Sequence, residues 1–460
     1  MCIRDRLYFE PIVEEDVLEI VHHENPLGVV VQFGGQTPLK LTSVLQKYNI
    51  PILGTSPESI DIAENREKFK SFLSGFNFKQ PRNLAVSEKE MVQRAVSELG
   101  YPVIVRPSYV LGGRAMELIY TESDLTNYVN NRVEISPDNP LLIEKFLEDA
   151  TEIDIDLISD GENVLIGGIL QHIEEAGIHS GDSSCSFPPY SVPEKKIIQL
   201  KKEIKGVAKK LKVKGLMNAQ VAIKNDEFYM IEVNPRASRT IPFLSKCLGH
   251  SLAKLASKVL IGNSLRDLGF SSEIVPTSYA VKAPVFPFNK FLKVDPILGP
   301  EMKSTGEVMG RGSTFGEAFG KAIKAAGDEM PTRGNIFVSV KDSDKKYLPE
   351  LCQKFIELGF NIKATKGSCK FLADKGIRVE KVNKVLEGRP HIVDEILNNE
   401  ICMVINTTEG RQSIKDSFSI RRSALEHNTF LTTTISGGFA IAESLEKPSN
   451  EWNYIPLQTS

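Results

Sequence analysis

Paired cysteines are what this chain most plainly lacks. Its six cysteines, Cys2, Cys185, Cys247, Cys352, Cys369 and Cys402, are scattered through 460 residues, and none falls in a C-x-x-C pair. That spacing argues against a zinc ribbon or a disulfide framework and suits a reducing cytoplasm. Long apolar runs are missing too: no stretch approaches the ~20 residues of a membrane span, so no membrane partner is expected. The start "MCIRDRL" has no apolar centre and does not read as a secretory signal. It leads straight into a strand-like segment, so the natural chain is expected to begin earlier. A net charge of −3 supplies no global field to recruit nucleic acid. No short-period repeat or low-complexity tract is found.

What is present is a globular composition, 41% apolar and 25% charged, over a length that implies roughly two to four domains. "PLGVVVQFGGQTP" (26–38) reads as a buried strand and Gly-rich turn, "LKLTSVLQKYN" as a helix and "IPILGTS" as a second strand, a βαβ pattern. A larger α/β unit follows, with strands at "YPVIVRPS", "RAMELIYT" and "PLLIEKFL". The segment "EIDIDLISDGENVLIGGILQHI" reads as a strand pair turning at Asp160-Gly161. Residues 194–211 place Ile197, Leu200, Ile204, Val207 and Leu211 at helix period. The lysines there read as a solvated helix face rather than a nucleic-acid patch. Residues 266–327 form a connector rich in Pro, Gly and Phe. Its "GRGSTFGEAFGK" fails the phosphate-loop spacing, and Thr314 with Glu317 reads as a capping box. From about Thr332 a second βαβ unit begins.

The stretch "FYMIEVNPRASRT" (228–240) begins as an apolar strand and ends in Glu232, Asn234, Arg236 and Arg239. Side chains two apart on a strand share a face, so Glu232 and Asn234 point the same way. "LMNAQVAI" precedes it as a paired strand. A three-residue loop between them would set Gln220 across from Glu232, whereas a two-residue loop would move it to the opposite face. With the odd loop, one carboxylate and two amides converge as a Mg²⁺ cradle. Arg236 and Arg239 are placed to clamp anionic oxygens. The competing reading is a solvated edge strand. "VIVRPSYVLGGRAMELIY" reads as a hairpin whose Gly-Gly tip folds backbone N–H groups over a triphosphate, with Arg106 reaching the same phosphates, or as an ordinary hairpin. His179, beside Ser180, Gly181 and Asp182 in a polar loop, is a further candidate.

Taken together, "VQFGGQTPLKL", "ILGTSPESIDIAENREKF", "VRPSYVLGGRAM", "HIEEAGIHSGDS", "LMNAQVAI", "IEVNPRASRT", "PFNKF", "STGEVMG", "EGRPHIVD" and "INTTEGR" resemble the ATP-grasp family. More closely, they resemble the C-terminal half of the carbamoyl phosphate synthetase large chain. The resemblance implies an α/β protein of four parts. These are a truncated, Rossmann-like pre-ATP-grasp unit (1–60), an ATP-grasp domain (61–265), a connector (266–331) and a methylglyoxal synthase-like, Rossmann-type allosteric domain (332–460).

It also implies roles. Arg66, Arg106, Lys145, Glu152, Gly177, Ile178, His179, Ser180, Gln220 and Glu232 would surround ATP. Gln220, Glu232 and Asn234 would hold two divalent ions, Mg²⁺ or Mn²⁺. Arg66, Arg236 and Arg239 would face carbamate and the transferring phosphoryl group. Lys345, Thr365, Ser368, Lys384, Asn406 and Thr408 match a pocket for a nucleotide effector, UMP or IMP; polar loop ends of a structural domain are the competing reading. The implied reaction is ATP-dependent phosphorylation of carbamate to carbamoyl phosphate, a ligase step of arginine and pyrimidine biosynthesis. The partners implied are the missing N-terminal synthetase half, a glutaminase small chain and further copies in an oligomeric full enzyme. Where enterobacterial-type members use acidic and tyrosine side chains for ornithine beside Glu174 and Asp182, this chain has Ala283 and Leu431, so a weak ornithine response is expected. The alternatives are another ATP-grasp ligase, of biotin carboxylase or D-alanine ligase type, and a non-catalytic nucleotide-binding regulatory subunit.

Overall fold

The computed structural model describes residues 6–107, 115–137, 139–291 and 294–457. At its centre lies a seven-stranded antiparallel sheet. Its strands, in spatial order, are Gly306–Gly312, Tyr279–Val285, Cys185–Phe187, Val164–His172, Thr151–Asp160, Lys214–Lys224 and Glu227–Asn234. Strand alternation in "TEIDIDL" sends Ile153, Ile155 and Leu157 to one face. There they meet Leu200, Ile204 and Val207 of helix Glu194–Lys210 in a continuous core. Glu152, Asp154 and Asp156 are thereby turned to the other face. Farther along the strand that face becomes apolar at Ile158, which packs with helices Ile241–Leu248 and Leu252–Leu260.

A smaller four-stranded sheet, in the order Asn83–Val86, Leu141–Lys145, Val103–Pro107, Glu117–Ile119, packs on helices Val92–Leu99 and Glu122–Asn131. Val103–Pro107 and Glu117–Ile119 pair antiparallel as the arms of the expected hairpin. The Gly112-Gly113 tip lies outside the described residues. The C-terminal unit is an all-parallel sheet in the order Glu380–Lys381, Asn361–Ala364, Asn335–Ser339, Ile401–Asn406, Phe430–Thr432. Helices such as Leu348–Glu357 and Gly410–Glu426 connect its strands, as βαβ crossovers require.

Two expectations need correction. Among the described residues the first element is helix Glu14–Glu24, not a strand, and the N-terminal βαβ unit contains no continuous ladder. Val29 and Ile52 form a single parallel bridge, around helices Gln36–Leu39 and Thr42–Lys47. Among the described residues no third strand joins them, so neither segment gains the ladder that would extend it. Second, residues read as connector supply two strands, Tyr279–Val285 and Gly306–Gly312, to the large sheet, followed by helix Phe315–Ala326.

That helix shows half of the expected capping box: Thr314 Oγ1 accepts the Glu317 N–H at 3.2 Å. The Glu317 carboxylate turns inward instead. It accepts Ser313 Oγ (3.0 Å), Lys321 Nζ (2.8 Å), Lys447 Nζ (3.2 Å) and the Asn453 N–H (3.1 Å). The C-terminal segment is thus locked onto the helix, and Trp452 lies so close to Gly320 that a Cβ there would be 2.6 Å from the ring. Burial alone would raise the Glu317 pKa; the donors, Lys321 first, outweigh it and hold it down to about 2, against an ordinary 4.5. A depressed carboxyl pKa stabilises the fold above the unfolded value, and that contribution disappears as pH falls through the folded one. Glu317→Gln should therefore cost about 2 kcal/mol at neutral pH. In urea unfolding the gap to wild type should close between pH 4.5 and about 2; a gap independent of pH would exclude this role for the charge.

Candidate functional site

The site grows from one hairpin. Asn225 and Asp226, both at positive φ (49° and 64°), make a two-residue turn flanked by the Lys224–Glu227 pair. Such turns match the twist of the strands they join. By simple alternation this turn would put Gln220 and Glu232 on opposite faces, and the expected three-residue loop is not formed. The sheet corrects itself elsewhere. Val221 pairs with Met230 but Gln220 pairs with Glu232, so Ile231 is an extra residue, a β-bulge. After the bulge two polar rows cross three strands on one face: Asp154–Gln220–Glu232 and Asp156–Asn218–Asn234.

Beyond the strand end the rows continue into the arginines. Asn234 Nδ2 donates to Glu232 Oε1 at 2.8 Å, and Arg236 donates to Asn234 Oδ1 at 3.2 Å. Arg236 Nε also donates to Gln36 Oε1 at 2.7 Å, and Gln36 in turn donates to the Glu64 carboxylate. The N-terminal unit therefore braces Arg236. Arg239 is exposed, and its guanidinium meets Met302 Sδ.

The loop carrying Gly177, Ile178, His179 and Ser180 borders the same region. Gly177 has φ +96°, and a Cβ there would come within 2.6 Å of the Phe146 ring, so the loop needs glycine at this point. Burial, then the nearby Arg239 cation, lower the His179 pKa. The neutral imidazole fits its geometry, since Nδ1 accepts the Gly181 N–H at 3.0 Å. The Ser180 carbonyl accepts Lys282 Nζ at 3.0 Å. Asp182, fully buried, takes the Lys303 and Ser304 N–H groups at 2.8 and 2.9 Å, and His179 N–H donates to the Gly299 carbonyl at 2.9 Å. At its other end this segment meets the C-terminal unit. Asp295 receives Arg421 Nε at 2.8 Å, and Arg421, at 0% exposure, also donates to Asn406 Oδ1 at 3.0 Å.

Arg66 and Arg106 approach one carboxylate, Glu144, at 3.6 and 3.8 Å. Burial raises the Glu144 pKa against the pull of Arg106. Lys145 points elsewhere: its ammonium donates to the Gly100 and Tyr101 carbonyls at 3.1 and 2.7 Å. Glu152 lies 3.3 Å from His172, whose other nitrogen is 3.0 Å from Asp154. Burial alone would depress the His172 pKa; Cys185 first, then the Asp154 and Glu152 carboxylates, raise it. Asp154, His172 and Cys185 offer ligating atoms within 4.8 Å of one another. The His172–Asp154 contact and the buried Lys282 ammonium, which interacts with both Asp154 and Cys185, account for that cluster as a charge-balanced core.

In the C-terminal unit, Thr365 and Asn406 stand at the carboxyl ends of parallel strands, where α/β sheets bind ligands. Thr365 and Ser368 sit at the N-terminus of helix Lys366–Asp374, and both are buried. Thr408 Oγ1 is buried without a hydrogen-bond partner. Lys345 pairs with Asp342 at 2.6 Å, and Lys384 is exposed on a loop.

Hard oxygen donors define the metal candidate. Glu232 is exposed beside two amides, and its row partner Gln220 is half-buried. One carboxylate with amide oxygens and room for phosphate and water suits Mg²⁺. The sequence reading missed Asp154, Asp156, Glu144 and Gln36. The signal for the first two was visible, because acids at every second position of "TEIDIDL" must share a face.

Three families match in chain order: "Carbamoyl phosphate synthase preATP-grasp domain" over residues 1–62, "Carbamoyl-phosphate synthase L chain, ATP binding domain" over 65–268, and "MGS-like domain" over 347–433. The carbamoyl phosphate synthase large chain of Pseudomonas syringae pv. tomato is 54% identical over 442 residues, covering 96% of this chain and 41% of the relative. This chain belongs with the carbamoyl phosphate synthase large chains. It corresponds to their C-terminal half and spans well under half of their length. The Vibrio cholerae large chain is 50% identical over 440 residues, again 96% of this chain and 41% of that one.

Among solved structures, the Campylobacter jejuni biotin carboxylase in complex with β,γ-ATP aligns with TM-score 0.54 at 17% identity, covering 68% of this chain and 77% of that one. The Hydrogenobacter thermophilus 2-oxoglutarate carboxylase biotin carboxylase domain, in complex with MgADP, ADP and bicarbonate, aligns at 0.55 and 16% identity over 69% and 79%. At such identities these two show a shared fold. In this large-chain relative, Asp182→Asn should remove one of two charge-assisted acceptors and cost about 2–3 kcal/mol. The Lys303 and Ser304 amides should then exchange with deuterium at least tenfold faster; unchanged exchange would show that the carboxylate does not hold the segment.

Proposed function

We propose that this chain carries out the ATP-dependent phosphorylation of carbamate to carbamoyl phosphate. The observation that carries this reading is the Gln220–Glu232 pair with Asn234 and Arg236 directly beyond it. A carbamate oxygen attacks the γ-phosphorus, the bond from that phosphorus to the β–γ bridging oxygen breaks, and ADP leaves with the electron pair. Nothing covalent is required of the protein, whose task is positioning and charge neutralisation. Divalent ions, Mg²⁺ or Mn²⁺, held by Gln220, Glu232 and Asn234 would supply charge neutralisation of the phosphate oxygens when bound. Arg66, Arg236 and Arg239 face the two anionic partners. Arg106, Glu152 and the Gly177–Ser180 loop line the nucleotide. Lys145 joins them by exchanging the Gly100 and Tyr101 carbonyls for a phosphate.

In this reading the carbamate comes from an N-terminal synthetase half supplied with ammonia by a glutaminase chain, within an oligomeric enzyme serving arginine and pyrimidine synthesis. The C-terminal pocket takes UMP or IMP, with Lys345, Thr365, Ser368, Lys384, Asn406 and Thr408 around the nucleotide. The unpartnered Thr408 hydroxyl and the helix terminus at Thr365 support a phosphate there.

The reverse reaction, ATP from ADP and carbamoyl phosphate, tests the assignment on the chain as it stands. Glu232→Ala should lower Mg²⁺-dependent ATP formation at least about 10²-fold with an unchanged melting temperature. Full activity in that variant, or bicarbonate-dependent biotin carboxylation by the wild type, would overturn the reading. UMP or IMP should bind with an affinity that Asn406→Ala weakens. Ornithine should change the apparent ATP affinity by less than tenfold.

A further inference from the structure

Beneath the arginine-bearing turn sits a carboxylate that the reaction above does not use. Asp156 is at 0% exposure on strand Thr151–Asp160. Its Oδ1 accepts Ser238 Oγ at 2.6 Å and Asn218 Nδ2 at 3.1 Å, and its Oδ2 accepts Thr240 Oγ1. Ser238 and Thr240 flank Arg239. They also meet each other, Oγ to Oγ1, at 2.7 Å, and the Thr240 N–H donates to Ser238 Oγ at 3.2 Å. The third partner, Asn218, lies opposite Asn234 in the ladder. One buried anion therefore fixes both sides of the turn and its root.

Burying a carboxylate is costly unless its hydrogen bonds are well formed. Here burial pushes the Asp156 pKa up to about 6 even though three side chains donate to it. An apolar residue would fill this place in the sheet at lower desolvation cost, but it would leave Ser238, Thr240 and Asn218 without their acceptor. Arg239 reaches outward from the turn, and its aim is set by backbone held on both sides.

We infer that Asp156 is a positioning residue for phosphoryl transfer, acting through Ser238 and Thr240 to hold the turn from which Arg239 reaches the transferring phosphoryl group. The inference rests on the function proposed above, and displacement of about 1 Å at such a group is enough to cost on the order of 10²-fold in rate.

Thr240→Val removes the hydroxyl at nearly constant volume, and Thr240→Ser restores it. In ATP formation from ADP and carbamoyl phosphate, Thr240→Val should lower kcat about 10- to 100-fold while the KM for MgADP stays within about threefold. Thr240→Ser should retain wild-type kcat within about threefold, and Asp156→Ala should resemble Thr240→Val. A second readout does not depend on turnover. Brief trypsin treatment below the melting transition should cut after Arg239 in Thr240→Val and not in the wild type or Thr240→Ser. Wild-type kcat with no new cut in Thr240→Val would overturn the inference. So would a parallel loss of kcat, nucleotide affinity and melting temperature that serine does not rescue. An inactive wild type would overturn the proposed function instead, and the tryptic pattern would still decide whether Asp156 and Thr240 hold the turn.

Discussion

A single unpaired residue, Ile231, sets the chemistry of this sheet. The tight turn at Asn225-Asp226 fixes one register, and that register separates the amide of Gln220 from the carboxylate of Glu232. The bulge changes the parity once, after which the amide and the acid share a face and Asn218 meets Asn234. A turn suited to strand twist and a pair suited to a hydrated cation are incompatible on a regular ladder. The bulge reconciles them within a few residues, and bulges commonly re-aim side chains beside active sites.

The face so created is expensive. Glu152, Asp154 and Asp156 follow one another along a strand whose other side is packed with aliphatic side chains. Like charges at that spacing, largely removed from water, require compensation. The compensation is local: His172 lies between Glu152 and Asp154, Lys282 is buried nearby, and Asp156 receives hydroxyls and an amide. Glu152 and Asp154 share one imidazole, Asp156 has donors of its own, and the Lys282 ammonium also holds the Ser180 carbonyl of the His179 loop.

Much of this was legible in the sequence, for reasons that also explain what was not. The long amphipathic helix Glu194–Lys210 and the alternating strands Thr151–Asp160 and Lys214–Lys224 follow directly from periodicity. The pairing of Gln220 with Glu232 was anticipated through a loop length that proved wrong. Ile231 carries no mark of its own, because an apolar residue in an apolar strand looks the same bulged or paired. Glu317 was placed correctly at a helix start, yet its acceptors' partners, Lys447 and Asn453, are remote in sequence. The N-terminal segments read as strands because β-branched runs favour them, but strands persist through neighbours, and there the described residues provide one bridge. Residues 266–331 read as a connector from their Pro, Gly and Phe content, while strand Cys185–Phe187, 93 to 97 residues earlier in the chain, supplies the ladder for Tyr279–Val285.

Asn406 has both ends of its side-chain amide engaged, the nitrogen on the Ser339 carbonyl and the oxygen on Arg421. Arg421 in turn grips Asp295, and the chain from there runs to the amides fastened on Asp182, next to His179. Arg421 is fully buried with no water to fall back on, so loss of that amide would leave part of its guanidinium unpaired. One amide thus ties the strand ends of the parallel sheet, through Arg421 and Asp295, to the backbone beside His179.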